Sequence, residues 1–273
     1  MEGKRLNPID TSSVHACSIN HIRDMNLKSL IARKKLHLVL DLDNTLLQTR
    51  AMRNLTLYDR EYLERPGTQR WLEEGKLIRW GKGKDQWLTK LRPNVHNFLE
   101  EASKLFDFSI FTLGGRMYAK KILDILDPKG LYFAHSDVIT KEDCITPMKK
   151  GLNLVSSHDR VVLIVDDIEE FWDNDSKNLI KIAPYEFFDD NKRTWSRRFA
   201  DESEKYGELA RVLRELKKIH REFYSTEKGD MEGLHYESRD VRKARDEVQR
   251  KFQMIGTVTG REMELILISL GYK

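Results

Sequence analysis

The chain is predicted to fold as an α/β protein built on a central, mostly parallel sheet flanked by helices, and three observations predict it. Short apolar runs of strand length recur at Leu36 to Leu40, Phe106 to Phe111 and Val161 to Val165. Segments with helical spacing lie between them, at 95–105 and 116–126. The first and third runs lead directly into aspartates, Asp41 and Asp166, placing polar chemistry at the carboxyl ends of strands, where α/β sheets bind ligands.

Taken in order, residues 1–26 are polar and aperiodic and are expected to form a poorly ordered leader. A short basic helix is expected over Asn26 to Lys35. The strand at Leu36 to Leu40 is apolar apart from His37, the composition of a strand covered on both faces. Phe106 to Phe111 is broken only by Asp107 and Ser109, and Asn178 to Pro184 suits a fourth strand. In the second helical segment Ala119, Ile122, Leu123 and Leu126 share one face. Residues 55–90 interrupt this alternation with Gly67, Gly75, Gly81 and Gly83 and hold Trp71, Trp80 and Trp87, which predicts an inserted β-hairpin over the site. Beyond Asp201 the chain reads as a helical extension over 201–256, followed by a short tail at 257–273. Its first stripe is Leu209, Val212, Leu213, Leu216, Ile219 and Phe223, its second Val241, Ala244, Val248 and Phe252. Asp201-Glu-Ser-Glu204 reads as the capping box of the first helix.

Composition removes several classes of function. With 273 residues and 40% apolar content the chain has enough core to fold without covalent staples, and its two cysteines, Cys17 and Cys144, exclude a disulfide framework and make no zinc cluster. Such sparse cysteine suits a reducing, intracellular compartment. No apolar run approaches the roughly 18 residues of a membrane span, so no membrane partner is expected. A net charge of +4 is too small to imply nucleic acid by itself, and direct nucleic-acid binding is not expected.

The chemistry concentrates at Asp41-Leu-Asp43-Asn-Thr45. Carboxylates at i and i+2 on a loop leaving a buried strand converge on a small volume, which favours a bound cation; Mg²⁺, a hard ion ligated by oxygen, suits them. An Asp-rich turn is the plain structural alternative. Thr112 closes the second strand and is followed by Gly114 and Gly115; Lys149 and Lys150 offer a cation; Asp166 and Asp167 end the third strand. Taken singly, each also has an ordinary structural explanation. Their succession at strand ends matches the needs of phosphoryl transfer.

In these stretches the sequence resembles the haloacid-dehalogenase-like phosphatases, and within them the FCP-type phosphatases of the RNA polymerase II C-terminal domain. The resemblance is carried by Lys35-Leu-His-Leu-Val-Leu-Asp-Leu-Asp-Asn-Thr-Leu-Leu47, Lys90-Leu-Arg-Pro93, Phe108-Ser-Ile-Phe-Thr-Leu-Gly-Gly-Arg-Met-Tyr-Ala119, Leu126-Asp-Pro128, Lys150-Gly-Leu152 and Val162-Leu-Ile-Val-Asp-Asp167 with Trp172. The run Leu27-Lys-Ser-Leu30 is also similar to plant C-terminal-domain phosphatase-like proteins, and the resemblance extends over about residues 27–224.

The resemblance implies a Rossmann-like HAD fold over residues 27–200 and a division of roles. Asp41 is the implied nucleophile, and Asp43 the acid that protonates the leaving oxygen and then the base toward water. Mg²⁺ is implied to lie on the Asp41 carboxylate, the Asp43 backbone carbonyl and the Asp167 carboxylate. Lys150, chosen over Lys149 because Gly-Leu follows it, is steadied by Asp166 and neutralises charge, while Thr112 holds a phosphoryl oxygen and Thr45 orients the loop. Arg92 and Arg116 match family arginines and are expected on substrate, with a structural ion pair as the alternative for each.

Residues 76–92 carry six basic side chains against one acidic, interleaved with Trp80 and Trp87, a composition suited to a phosphorylated peptide containing proline and tyrosine. It would also suit single-stranded nucleic acid, or tryptophans packed on the core with lysines in water. The expected activity is a Mg²⁺-dependent protein serine/threonine phosphatase, nuclear, acting on the phosphorylated C-terminal domain of RNA polymerase II. A small-molecule phosphatase of the same superfamily and a non-catalytic phosphopeptide-binding module are the alternatives. FCP-type enzymes usually carry a BRCT domain after the helical segment; the residues after 252 are too few for one.

Overall fold

The computed structural model describes residues 11–172, 174–188, 201–225 and 239–256. Among these the chain runs α1 (Thr11–Ala32), β1 (Leu36–Leu40), β2 (Leu47–Ala51), α2 (Leu57–Leu63), α3 (Pro66–Glu73), β3 (Leu77–Trp80), β4 (Trp87–Leu91), α4 (Val95–Ser103), β5 (Phe106–Phe111), α5 (Arg116–Leu126), β6 (Val138–Ile139), β7 (Val162–Asp166), β8 (Leu179–Lys181), α6 (Glu208–Phe223) and α7 (Val241–Gly256). β6, β5, β1, β7 and β8 form one sheet in that order, every neighbouring pair parallel.

β1 lies at the centre because both of its faces are apolar. Leu36, Leu38 and Leu40 enter a core shared with α4, α5 and α6, whereas Val39 enters a second core with Phe111, Ile164 and Trp172 on the other face. His37 is tolerated on this strand because both ring nitrogens are bonded, Nδ1 to Ser157 Oγ at 2.6 Å and Nε2 to Ser109 Oγ at 2.7 Å. Burial pushes its pKa down to about 4, so the ring is neutral. The stripe expected on α6 is buried throughout, as are Val241, Ala244 and Val248 of α7; the Phe252 side chain and residues 257–273 lie outside the described residues.

Three expectations are corrected. The first helix begins at Thr11, so residues 11–26, expected to be aperiodic, are helical; residues 1–10 lie outside the described residues. The helix is weakly amphipathic; its last turns enter the main core through Leu27 and Leu30, and polar contacts also tie it down, with Arg23 donating to the Leu152, Asn153 and Val155 carbonyls and Asn26 to that of Ser156. The inserted hairpin is part of a three-stranded antiparallel sheet, β2-β4-β3, whose first strand starts at Leu47, ahead of the expected boundary. β2 has no clean alternation, only its two end residues being buried, so its sequence carried no strand signal. Finally, Asp201-Glu-Ser-Glu204 is not a capping box on α6, which starts at Glu208: Asp201 and Glu202 are drawn into ion pairs with Lys90 and Arg92, and Glu202 Oε2 also accepts from the Glu208 amide at 3.2 Å.

Candidate active site

The order β5-β1-β7 sets three strand ends side by side: Thr112 follows β5, Asp41 follows β1, and Asp166 is the last residue of β7. The Asp41 amide donates to the Val165 carbonyl at 3.1 Å, prolonging the pairing of β1 with β7 by one residue. Asn44 then turns the chain with a positive φ of 60°, and its amide reaches the Leu47 carbonyl at 2.7 Å as β2 begins. Asparagine suits this conformation, which most side chains resist.

Lys150 organises the cluster. Its Nζ donates to Asp41 Oδ1 and to Asp166 Oδ2, each at 2.6 Å, from a side chain only 2% exposed. Asp166 is held in turn by Trp172 Nε1 at 2.9 Å and by the Ile168 amide at 2.9 Å. Of the two adjacent lysines, Lys149 is exposed and donates to the Glu170 carbonyl, so burial separates what spacing left open. Burial by itself would depress the Lys150 pKa; the carboxylates of Asp41 and then Asp166 overcome it and hold the ammonium charged. Asp41 shows the opposite balance. Burial, opposed by Lys150 and reinforced by the Asp166 charge, lifts it to about 8. Burial also raises Asp43, against the Tyr118 hydrogen bond, and raises Asp167, where the Asp166 charge adds to it and the Thr45 bond opposes it.

Asp41, Asp166 and Asp167 each offer a carboxylate oxygen within 4.8 Å of the others. These hard oxygen donors, crowded together at the buried strand ends, fit a divalent cation, which would relieve their mutual repulsion. Both Asp166 oxygens already accept hydrogen bonds, which leaves Asp41 and Asp167 as the better ligands. Thr45 Oγ1 donates to Asp167 Oδ1 at 3.2 Å and so connects the two acidic loops. Because burial lifts the Asp41 pKa, a cation competes with a proton for that carboxylate. Its affinity is therefore expected to rise about tenfold per pH unit up to about pH 8 and then level off. Calorimetric titration with Mg²⁺ in buffers of different ionisation enthalpy should register close to one proton released per ion at pH 6.5, and no release would contradict this account of Asp41.

The remaining predicted residues divide. Thr112 is buried beside the cluster, its Oγ1 accepting from the Gly114 amide at 3.0 Å, which leaves its hydroxyl proton to donate. Arg92 is corrected: its side chain is fully buried, bound to Glu202 and to the carbonyls of Asn44, Thr45 and Ala183. It braces the loop that carries Asp43 and has no surface for substrate. Arg116 is exposed at the start of α5 with its guanidinium on Asp143 at 2.6 Å, outside the buried cluster. Trp80 and Trp87 stack on one another, ring centres 5.9 Å apart, and Trp80 also packs against the main core. Lys90, counted among the basic residues of the insertion, is buried against Asp201.

Tyr118 carries no role that sequence patterns assign; it stands only within a stretch that carries the resemblance. Its hydroxyl donates to Asp43 Oδ1 at 2.5 Å and also meets Thr49 Oγ1 at 2.9 Å. Gly114 makes room for its ring, since a Cβ added there would lie 2.6 Å from a ring carbon.

A parallel α/β sheet with an aspartate pair after its central strand, a buried lysine between strand-end carboxylates and an inserted sheet defines a haloacid-dehalogenase-like protein. The chain belongs to the NLI interacting factor-like phosphatase family, whose pattern matches residues 36–223. It is 39% identical over 244 residues to RNA polymerase II C-terminal domain phosphatase-like 4 of Arabidopsis thaliana, covering 85% of this chain and 53% of that protein. It is 32% identical over 211 residues to RNA polymerase II C-terminal domain phosphatase-like 3 of the same plant, covering 72% of this chain and 17% of that protein. The chain thus spans about half or less of these relatives' lengths. The solved structure of fission yeast RNA polymerase II CTD phosphatase Fcp1 bound to beryllium fluoride superposes with a TM-score of 0.67 at 23% identity, covering 84% of this chain and 75% of that one, a likeness of fold. Among the described residues no helix is long and apolar enough to cross a membrane.

Proposed function

We infer that this protein is a Mg²⁺-dependent protein serine/threonine phosphatase that dephosphorylates the heptad-repeat C-terminal domain of RNA polymerase II, in the nucleus, through an aspartyl phosphate. The observation that carries the chemistry is Lys150 bridging Asp41 and Asp166 at 2.6 Å on each side, with Asp43 two residues from Asp41 and turned toward Tyr118.

An Asp41 carboxylate oxygen attacks phosphorus as the bond from phosphorus to the serine oxygen breaks, and Asp43 gives its proton to that oxygen. Asp43, now ionised, takes a proton from the water that attacks the aspartyl phosphate, releasing phosphate and restoring Asp41. Lys150 offsets negative charge on the nucleophile and phosphoryl group, and the Thr112 hydroxyl donates to a phosphoryl oxygen. Mg²⁺, held by the Asp41 and Asp167 carboxylates and the Asp43 backbone carbonyl, would supply further positive charge opposite the phosphoryl oxygens.

The substrate reading rests on what the relatives are named for, and the insertion's chemistry supports it. The Trp80–Trp87 stack lies beside Tyr118 and hence beside Asp43, with Arg79, Lys82 and Lys84 exposed on the same hairpin. Aromatic faces next to exposed cations suit a phosphorylated peptide rich in proline and tyrosine. The basic run Arg33-Lys-Lys35 does not support the nuclear reading, since Arg33 and Lys35 both pair with Asp107; a polymerase substrate does.

Turnover of phosphoserine heptad peptides, compared with a panel of phosphosugars with and without Mg²⁺, tests the proposal. The peptide is expected to exceed the sugars in kcat/KM by at least about tenfold, and EDTA to abolish its turnover. Equal or better sugar turnover would mark a small-molecule phosphatase, and peptide binding without turnover a phosphopeptide-binding module.

A further inference from the structure

Asp43 ends an unbroken row of hydrogen bonds that begins in the inserted sheet. Trp80 Nε1 lies 2.8 Å from Thr89 Oγ1, which lies 2.9 Å from Thr49 Oγ1; Thr49 Oγ1 is 2.9 Å from the Tyr118 hydroxyl, which is 2.5 Å from Asp43 Oδ1. The row crosses the sheet at a point its register enforces, since Thr49 of β2 stands directly opposite Thr89 of β4. Thr89 is fully buried, so the row at that point is held by protein groups.

The chemistry of the two ends orients everything between them. An indole N–H can only donate and a carboxylate can only accept. With Asp43 ionised, Tyr118 gives its one hydrogen to Asp43 Oδ1 and so accepts from Thr49; Thr49, its hydrogen spent, accepts from Thr89, and Thr89 accepts from Trp80. Bonds aligned head to tail in this way polarise and strengthen one another. When Asp43 is the neutral acid, a proton on Oδ1 would reverse the row and leave the hydroxyl hydrogen of buried Thr89 with no acceptor in it, so the acidic proton resides on Oδ2.

We propose that Tyr118, locked by Trp80 through Thr89 and Thr49, is a positioning residue that confines the transferable proton of Asp43 to Oδ2, so that the inserted sheet sets the readiness of the general acid. This rests on the reading of Asp43 as the acid in serine phosphate cleavage. It gives the insertion a task in the reaction besides contact with substrate, and it gives Trp80 a role through its indole nitrogen that stacking alone does not use.

A misplaced acid is felt only where the leaving group needs a proton. Serine alkoxide needs one; nitrophenolate departs without it. Tyr118→Phe is expected to lower kcat on a phosphoserine peptide about 10²-fold and on p-nitrophenyl phosphate at least about tenfold less than that. Thr49→Val, which keeps the shape and removes the hydroxyl, should shift the same substrate ratio in the same direction by a smaller factor, whereas Thr49→Ser should restore it. A role in packing alone gives the reverse order, with valine tolerated and serine harmful. Equal losses on both substrates in Tyr118→Phe, or a wild-type ratio in Thr49→Val, would overturn the proposal; if Tyr118→Phe fails to fold, the Thr49 pair decides. Asp43→Asn separates this proposal from the reading beneath it. A large ratio change in Asp43→Asn but none in Tyr118→Phe removes only the positioning role, while no ratio change in Asp43→Asn removes the general acid and the positioning role together.

Discussion

Asp41→Asn is expected to lower turnover of a phosphoserine peptide by at least about 10⁴-fold while the protein folds and melts cooperatively. The amide has the shape of the carboxylate and keeps an oxygen for Lys150, but it cannot displace an alkoxide from phosphorus. The surrounding strands do not depend on its charge, because β1 is held by apolar residues on both faces and the Asp41 amide pairs with Val165 whatever the side chain is. Stability gives an independent check. Folding raises the Asp41 pKa from 3.8 to about 8, so the native metal-free protein retains a proton that the unfolded chain releases. That stabilisation is complete below about pH 4 and is lost as pH rises through about 8. Asparagine cannot ionise. In EDTA the melting temperature of Asp41→Asn relative to wild type should therefore climb between pH 4 and 8. Wild-type turnover in the variant would displace Asp41 as nucleophile, and a pH-independent difference in melting would show that its carboxyl is not held neutral.

Arg92→Met is expected to destabilise the protein by about 3–5 kcal/mol, the scale for breaking a buried ion pair by removing one partner. The guanidinium donates to both Glu202 oxygens, at 3.1 and 2.6 Å, and to the carbonyls of Thr45 at 3.0 Å and Ala183 at 2.8 Å. Methionine fills part of the volume and satisfies none of these acceptors. Lysine should restore little, since one ammonium cannot reproduce a planar fork spanning three segments. Denaturant unfolding measures the loss; peptide KM, measured at a temperature where the variant is folded, should change by no more than about twofold. An arginine that gripped phosphate would give the opposite result, a large rise in KM with stability near wild type.

Much of this protein was legible in sequence wherever the signal was local. β1, β5 and α5 were readable to the residue, because unbroken apolar runs and a 3.6-residue stripe are properties of a few consecutive side chains. Asp41 and Asp43 were legible for the same reason, being two residues apart on a loop that a buried strand must end in. The resemblance added Lys150 over Lys149, and burial separates the two in the same sense. Reading failed where a residue's fate depended on a distant partner. Lys90 and Arg92 looked like members of an exposed basic patch; Asp201 and Glu202, at separations of 111 and 110 residues, draw them inside and cost α6 its expected cap.

The sequence by itself therefore determined the parallel sheet, the strand-end aspartates and the apolar stripes of the later helices, since periodicity and adjacency are written into the chain. Only the tertiary structure decided which charged groups serve the site and which serve the frame. That choice is made by burial, which lets a charge persist only beside a partner, and the partners are far away in sequence: Lys150 is 109 residues from Asp41, and Tyr118 is 75 from Asp43.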